Sequence, residues 1–357
     1  MAAPQPVTEL LKDVSRSFYL TLRMLPGAIR LQIGLAYLLA RATDTLADTE
    51  IVPVAERLRA LERLRERILG QSTVPLDFDR FTQAGSERAV SKSGQAERDL
   101  LKRMEEALAL LSTLGLEDQQ RIREVLTTIT SGQELDLRRF GQGAAPPEDG
   151  HPNAPRPDFS QSVPALPTDT ELDDYTYRVA GCVGEFWTRM CRAHLFRDSP
   201  WNDSYLLGRA VRFGKGLQLV NILRDLPVDL RKGRCYVPQE SLLSIGLVPA
   251  DLLIPRTEPT FRPLYQDLLA RAEAHLAAGW EYTLALPRGG ARVRLACAWP
   301  LLIGIQTLRR LRNQNVLDAG TRIKISRGEV GNIIVRSVAL YPFPAVWRQM
   351  FARASAR

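Results

Sequence analysis

Apolar residues recur at three- and four-residue spacing through 6–23, 28–49, 54–70, 97–113, 117–139, 172–195, 203–226, 263–285 and 291–312, and each stretch predicts a helix with one face against a core. The alternating β-branched runs that strands need are nearly absent. An all-α chain is therefore expected, a helical bundle around a central cavity. The exception is 141–169, where GQGAAPPEDGHPNAPRPDF mixes Pro, Gly and acidic residues that suit neither a helix nor a core strand. That stretch reads as an exposed, mobile loop. The same helical pattern runs on both sides of it and neither side looks complete, so one domain over 1–357 with an insertion is expected.

Two predicted helices carry polar residues that their apolar surroundings make costly. In 28–49, Ile29, Ile33, Leu35, Leu38, Leu39 and Leu46 cover most of the circumference, which predicts burial on nearly every side. Tyr37, Arg41, Asp44 and Asp48 follow at i, i+4, i+7 and i+11, along one stripe. In GKGLQLVNILRDLPVDLRKGR, Gln218, Asn221, Asp225 and Asp229 form a second such stripe, among Leu217, Leu219, Val220, Ile222 and Leu223. Two carboxylates one turn apart repel, and in an apolar interior they are tolerated only with a cation against them. Pro227 lies within the second pair, and a kink or helix end is expected there because its ring crowds the carbonyl of Leu223. A third pair, Asp169 and Asp173, sits in the polar run TDTELDD, where helix N-terminal capping or a solvated turn accounts for it. For the two buried pairs the structural alternative is plain ion pairing to Arg41 or Arg224.

Hard divalent cations, above all Mg²⁺, take oxygen ligands and share them between a few carboxylates and substrate phosphates. Four aspartates on facing helices would hold such ions, and Arg16, Arg41, Arg224, Arg231, Lys232 and Arg234 would neutralise a diphosphate. The helix walls between the stripes are apolar, so the rest of the substrate should be hydrocarbon; an isoprenoid fits.

Composition adds limits. Hydrophobic residues at 45% and charged residues at 25% exclude a disordered chain and a coiled-coil rod. The longest uncharged stretches, 295–308 and 31–40, are too short for a membrane span of about 20 residues. The start, MAAPQPVTELLKDVSRSF, lacks a secretory pattern, and the four cysteines lack metal or disulfide spacing, so a cytoplasmic chain is expected. A net charge of +8 calls for an anionic partner. Nucleic acid is set aside, since no helix-turn-helix or RRM pattern is present and the charge is spread along the chain.

Six blocks together resemble the squalene/phytoene synthase family, most closely its squalene-forming members. They are SRSF at Ser15–Phe18, YLLARATDTLADT at Tyr37–Thr49, YTYRVAGCVGEFW at Tyr175–Trp187, QLVNILRDLPVDLRKGRCYVP at Gln218–Pro238, CAWP at Cys297–Pro300 and TRIKISRGEV at Thr321–Val330. The resemblance implies a single-domain isoprenoid-synthase bundle. It also implies a head-to-head condensation of two farnesyl diphosphates through presqualene diphosphate to squalene, with Mg²⁺ and NADPH. By position, Asp44, Asp48, Asp225 and Asp229 match metal ligands, with Asp44 and Asp225 central to catalysis. Tyr37, Arg41, Gln218, Asn221, Arg224 and Arg234 match positions around the diphosphates, and Ser15, Arg16, Ser17 and Phe18 match a substrate-binding block. Tyr175 matches the tyrosine that steers the first half-reaction, with Tyr177 as its rival. Lys324 and Arg327 match a basic pair at the cofactor; no GxGxxG or P-loop is present.

There are departures. Ala296 stands where squalene-forming members tend to carry an aromatic, which keeps presqualene diphosphate, dehydrosqualene and phytoene open as products. A non-catalytic scaffold of the same fold is the reading from another class, and retention of all four aspartates weighs against it. The chain ends LYPFPAVWRQMFARASAR, an aromatic and basic tail that suits peripheral contact with an anionic bilayer as well as it suits packing back on the bundle. A monomer is expected.

Overall fold

The computed structural model describes residues 18–83, 92–141, 163–318 and 323–356. Among them the chain is helical, without strands, and forms two compact units. The first gathers α1 (Phe18–Met24), α2 (Gly27–Asp48), α3 (Val54–Leu69), α4 (Asp79–Gln83), α5 (Lys92–Lys102), α6 (Met104–Ser112) and α7 (Leu116–Phe140), together with 189–197. The second gathers α8 (Asp169–Thr176), a π-helical turn at Tyr177–Gly181, most of α9 (Cys182–His194), α10 (Asp203–Arg231), α11 (Gln239–Ser244), α12 (Glu258–Ala285), α13 (Ala291–Arg312), α14 (Arg327–Leu340), α15 (Pro344–Arg348) and α16 (Met350–Ser355). The expected insertion lies mainly at 142–162, outside the described residues. Its last residues are mixed: Pro167 and Asp169 are exposed, but Val163 and Leu166 are buried, and Leu166 N donates to Cys235 O at 3.0 Å while Cys235 N donates to Pro164 O at 3.0 Å.

In the first unit α2 packs against α7 and α3, with α5 and α6 beside it, burying Leu35, Leu39, Ala42 and Leu46. Arg57 of α3 is fully buried, and its Nη1 donates to the Ala47 carbonyl at 2.8 Å. A guanidinium thus satisfies one of the carbonyls left open at the end of α2 and opposes the negative end of its dipole. Asp118, nearly buried in α7, accepts from Gln32 Nε2 at 3.2 Å and Arg121 Nη1 at 2.8 Å and lies 2.9 Å from His194 Nε2.

The second unit is built on α10 against α12, with α13 on both. Glycines let α10 approach the preceding segment at backbone distance. A Cβ at Gly214 would collide with the Ala180 carbonyl, and one at Gly184 with the Ala210 carbonyl. The π-turn falls at this crossing, where a single regular helix over 172–195 was expected. The expected helix at 97–113 likewise divides, into α5 and α6 at Arg103.

Pro227 neither ends nor breaks α10, which runs on to Arg231. The physical reason is Tyr265. Proline cannot donate to the carbonyl four residues back, and the fully buried Tyr265 hydroxyl donates to that carbonyl, Leu223 O, at 3.0 Å instead. The helix then closes on a Schellman turn, with Gly233 at φ 71°. Arg234 N donates to Asp229 O at 2.9 Å and Gly233 N to Leu230 O at 3.0 Å. Of the C-terminal aromatics Trp347 and Phe351 are buried and stack on Trp280 at 4.9 and 5.9 Å between ring centroids, while Phe343 is exposed. No helix among the described residues is long and apolar enough to cross a membrane.

Candidate active site

Each acidic helix presents its polar stripe where the sequence arithmetic puts it, with one correction. Neither stripe is buried. Asp48 and Asn221 are exposed, Tyr37, Arg41, Gln218, Arg224 and Asp229 are half-buried, and Asp44 and Asp225 keep 41% and 44% of their side-chain surface open. The leucine-rich faces pack on neighbouring helices and leave this one row free, so the apolar count overstated burial. Position on the helix remains costly: Asp44, Asp48 and Asp229 stand in the final turns of α2 and α10, where the macrodipole already repels anions.

In the first unit Arg41 donates to Asp44 through Nη1 and to Glu97 of α5 through Nη2. Burial works against the Arg41 charge, but Asp44 and Glu97 outweigh it and hold the guanidinium more basic than usual. Burial and the Asp48 carboxylate push the Asp44 carboxyl up to about 7, with Glu97 adding to them and Arg41 pulling the other way. Asp44 is thus recessed, hemmed in by protein while water still reaches it. Glu97, invisible to a reading of α2 alone, belongs to this arrangement.

In the second unit Arg224 donates to Asp225 twice, Nε to Oδ1 at 2.9 Å and Nη2 to Oδ2 at 2.5 Å. These bonds, with Asp229 nearby, raise the basicity of Arg224 against burial. Asp229 sits on the Schellman turn that also fixes the backbone of Arg234. Tyr175, at the end of α8, stacks on the buried Tyr236 with centroids 5.0 Å apart. Tyr177 occupies the π-turn, with Lys215 Nζ 5.8 Å from its ring.

Asp169 and Asp173 do not cap α8; Thr168 does, accepting from Glu171 N at 3.3 Å. Arg271 Nη1 donates to Asp169 at 2.9 Å, and Lys215 Nζ donates to Asp173 at 2.7 Å. They are structural ion pairs. Lys324 and Arg327 are exposed on either side of Ser326, the N-cap of α14, apart from the acidic stripe of α10 in sequence and element. Ser15, Arg16 and Ser17 lie outside the described residues, as does the Phe18 side chain.

The oxygen-only donor sets fit a hard divalent cation, and the Asp44 carboxyl, crowded by Asp48 and Glu97, is the group most relieved by one. Among the described residues no three His, Cys, Asp or Glu side chains group closely enough to enclose a metal. Paired carboxylates that leave coordination positions to water and phosphate oxygens are the usual Mg²⁺ arrangement.

The family model for Squalene/phytoene synthase matches residues 11–329. A bifunctional lycopene cyclase/phytoene synthase of Blakeslea trispora is 28% identical over 237 residues, 66% of this chain and 32% of that protein. A squalene synthase of Schizosaccharomyces pombe is 26% identical over 333 residues, 93% of this chain and 64% of that protein. The chain therefore spans about a third of the first relative and just under two thirds of the second. A solved ligand complex of TcSQS superposes with a TM-score of 0.70 at 21% identity, over 98% of this chain and 97% of that one, a likeness of fold. With both aspartate stripes inside a match that covers most of its length, the chain belongs to the squalene/phytoene synthase family, a family of prenyltransferases.

Proposed function

We propose that the chain condenses two farnesyl diphosphates head to head, through presqualene diphosphate, and reduces the product to squalene. The observation that carries this reading is a pair of aspartates four residues apart, the first bonded to an arginine, on each of two helices: Asp44 and Asp48 with Arg41 in α2, and Asp225 and Asp229 with Arg224 in α10. Carboxylates held there without function would only cost stability.

Asp44, Asp48, Asp225 and Asp229 would hold magnesium, which supplies charge uptake for a departing diphosphate. The chain's own groups do the rest. Arg41 and Arg224, their carboxylate bonds intact, orient Asp44 and Asp225 and face a phosphate with their remaining N–H donors. Tyr175, its ring fixed against Tyr236, offers a π face to an allylic cation and a hydroxyl for the proton lost on closing the cyclopropane. Lys324 and Arg327, exposed at the N-terminus of α14, fit the phosphate end of NADPH, which would supply hydride to the second half-reaction.

The second reading stops without reduction, at presqualene diphosphate, dehydrosqualene or phytoene; the small, buried Ala296 favours it. Purified protein given Mg²⁺ with farnesyl or geranylgeranyl diphosphate, with and without NADPH, decides by hydrocarbon extraction. Squalene formed only with NADPH is the expected result. Phytoene from geranylgeranyl diphosphate overturns the proposal, and no product from either substrate leaves the scaffold reading.

A further inference from the structure

We propose that a pocket in the second unit, walled by α13, α14 and α16, binds an amphiphile with a phosphate or diphosphate head on a hydrocarbon tail. The cavity is about 470 Å³, within the range of sites that enclose small ligands. Its floor is apolar, made by Leu302, Ile333, Leu340 and Met350. Its edge is cationic, and each helix contributes one arginine: Arg309 from α13, Arg336 from α14 and Arg353 from α16.

None of these three guanidinium groups forms an ion pair among the described residues; Arg353 Nη2 donates to Gln349 Oε1 at 2.8 Å. The one carboxylate in the lining, Glu329, is already engaged. It pairs with Arg310 at 2.5 Å and accepts from Ser326 N at 2.9 Å and Ser326 Oγ at 2.7 Å, closing the capping box of α14. The amides of Gln306 and Asn332 add neutral donors.

Three cations around one hollow repel each other unless an anion lies between them, and an apolar floor stays wet unless hydrocarbon covers it. A free inorganic anion would answer only the first demand, and a neutral apolar chain only the second. An anionic head on a hydrocarbon tail answers both. The pocket shares no residue with either aspartate stripe or with Tyr175, Lys324 and Arg327, so the inference stands apart from the proposed reaction.

The ligand could arrive as a free amphiphile or as a membrane lipid, and two probes separate these sources. Dodecyl phosphate is titrated calorimetrically as a monomer into the full chain in EDTA, so that no divalent cation draws the phosphate to the aspartate stripes. Co-sedimentation with phosphatidylglycerol vesicles, against phosphatidylcholine vesicles, reports a lipid. The variant Arg309→Gln/Arg336→Gln/Arg353→Gln is expected to lose at least about tenfold in affinity in whichever arm reports binding, because the charge-assisted bonds are removed together. Farnesyl diphosphate turnover should remain unchanged. Ile333→Glu, which puts a like charge on the floor, should also abolish binding. If the triple variant does not fold, Arg336→Gln at its exposed position serves with a loss of about threefold. Binding in neither arm overturns the proposal, and so does binding that these variants retain.

Discussion

The two acidic helices carry the same spacing but differ electrostatically. In α2 one guanidinium, Arg41, is divided between Asp44 and Glu97, and the Asp48 carboxylate adds to the burial that raises Asp44. In α10 Arg224 is committed to Asp225 by two parallel hydrogen bonds, and Asp229 is held a turn away by the backbone geometry of the helix end. The same aspartate spacing therefore gives one stripe whose arginine is divided between two carboxylates and one whose arginine is bonded twice to a single carboxylate. Only the first should respond strongly when its charge is reduced, whereas loss of either should stop a reaction that needs both.

The largest effect tests that shared requirement. Asp44→Asn and Asp225→Asn are each expected to lower turnover at least about 10³-fold, since several kcal/mol of charge stabilisation go with the ligand and each 1.4 kcal/mol is a factor of ten. Stability should divide the pair. In metal-free protein at neutral pH, Asp44→Asn should melt higher than wild type because it relieves repulsion. Asp225→Asn should melt slightly lower because Arg224 loses its partner. Near-normal turnover in either variant removes the metal-ligand role, and melting shifts in the reverse order undo the comparison.

The next effects concern how α10 holds its stripe in place. Gly214→Ala should destabilise by about 1–3 kcal/mol or more, because the new methyl meets backbone that cannot rotate away. Gly208→Ala in the same helix has open space around it and should instead stabilise, by up to about 1 kcal/mol. If denaturant midpoints move equally, the close approach is not what fixes α10. Tyr265→Phe leaves the Leu223 carbonyl without its donor and is expected to cost about 1–3 kcal/mol. That loss should fall on the Asp229 end, so hydrogen exchange should rise in residues 226–231 and not at the start of the helix.

These helices also show what the sequence could and could not carry. Helix period alone put Tyr37, Arg41, Asp44 and Asp48 on one row, because that relation lies within a single element. Their exposure was not readable, since it depends on which neighbours α2 meets, and Glu97 joins Arg41 from 56 residues away. The helix end that Pro227 allowed does not occur, for the same reason: its remedy is Tyr265, on another helix. The S-x-x-E signal at Ser326–Glu329 was legible as a helix start, yet the block drew attention for its basic residues and α14 went unpredicted. The tail aromatics admitted two readings from sequence, and the packing of Trp347 and Phe351 on Trp280 was not readable there because it joins separate helices.

The last effect is a pH dependence carried by Asp44 in α2. The Asp44 carboxyl titrates near 7 in the folded protein, against about 4 for an unperturbed aspartate. Between those values the native state binds more protons than the unfolded chain, so stability falls as pH rises, the reverse of a salt-bridged carboxylate. Asp118 and Asp173, held below the usual range, act conventionally and lose their contribution only at lower pH. His275 opposes Asp44 in part of the same window: burial, with Arg212, Arg271 and Lys215 around it, lowers its ring to about 4, so its contribution grows as pH rises from there to about 6.5. The informative quantity is therefore the difference between wild type and Asp44→Asn. Melting temperatures taken in EDTA from pH 4 to 8 should diverge steadily, the variant gaining as pH rises. Magnesium chloride should raise wild type more than the variant at the upper end. Parallel curves would show that Asp44 is not raised by burial and Asp48, and would remove the contrast between the helices.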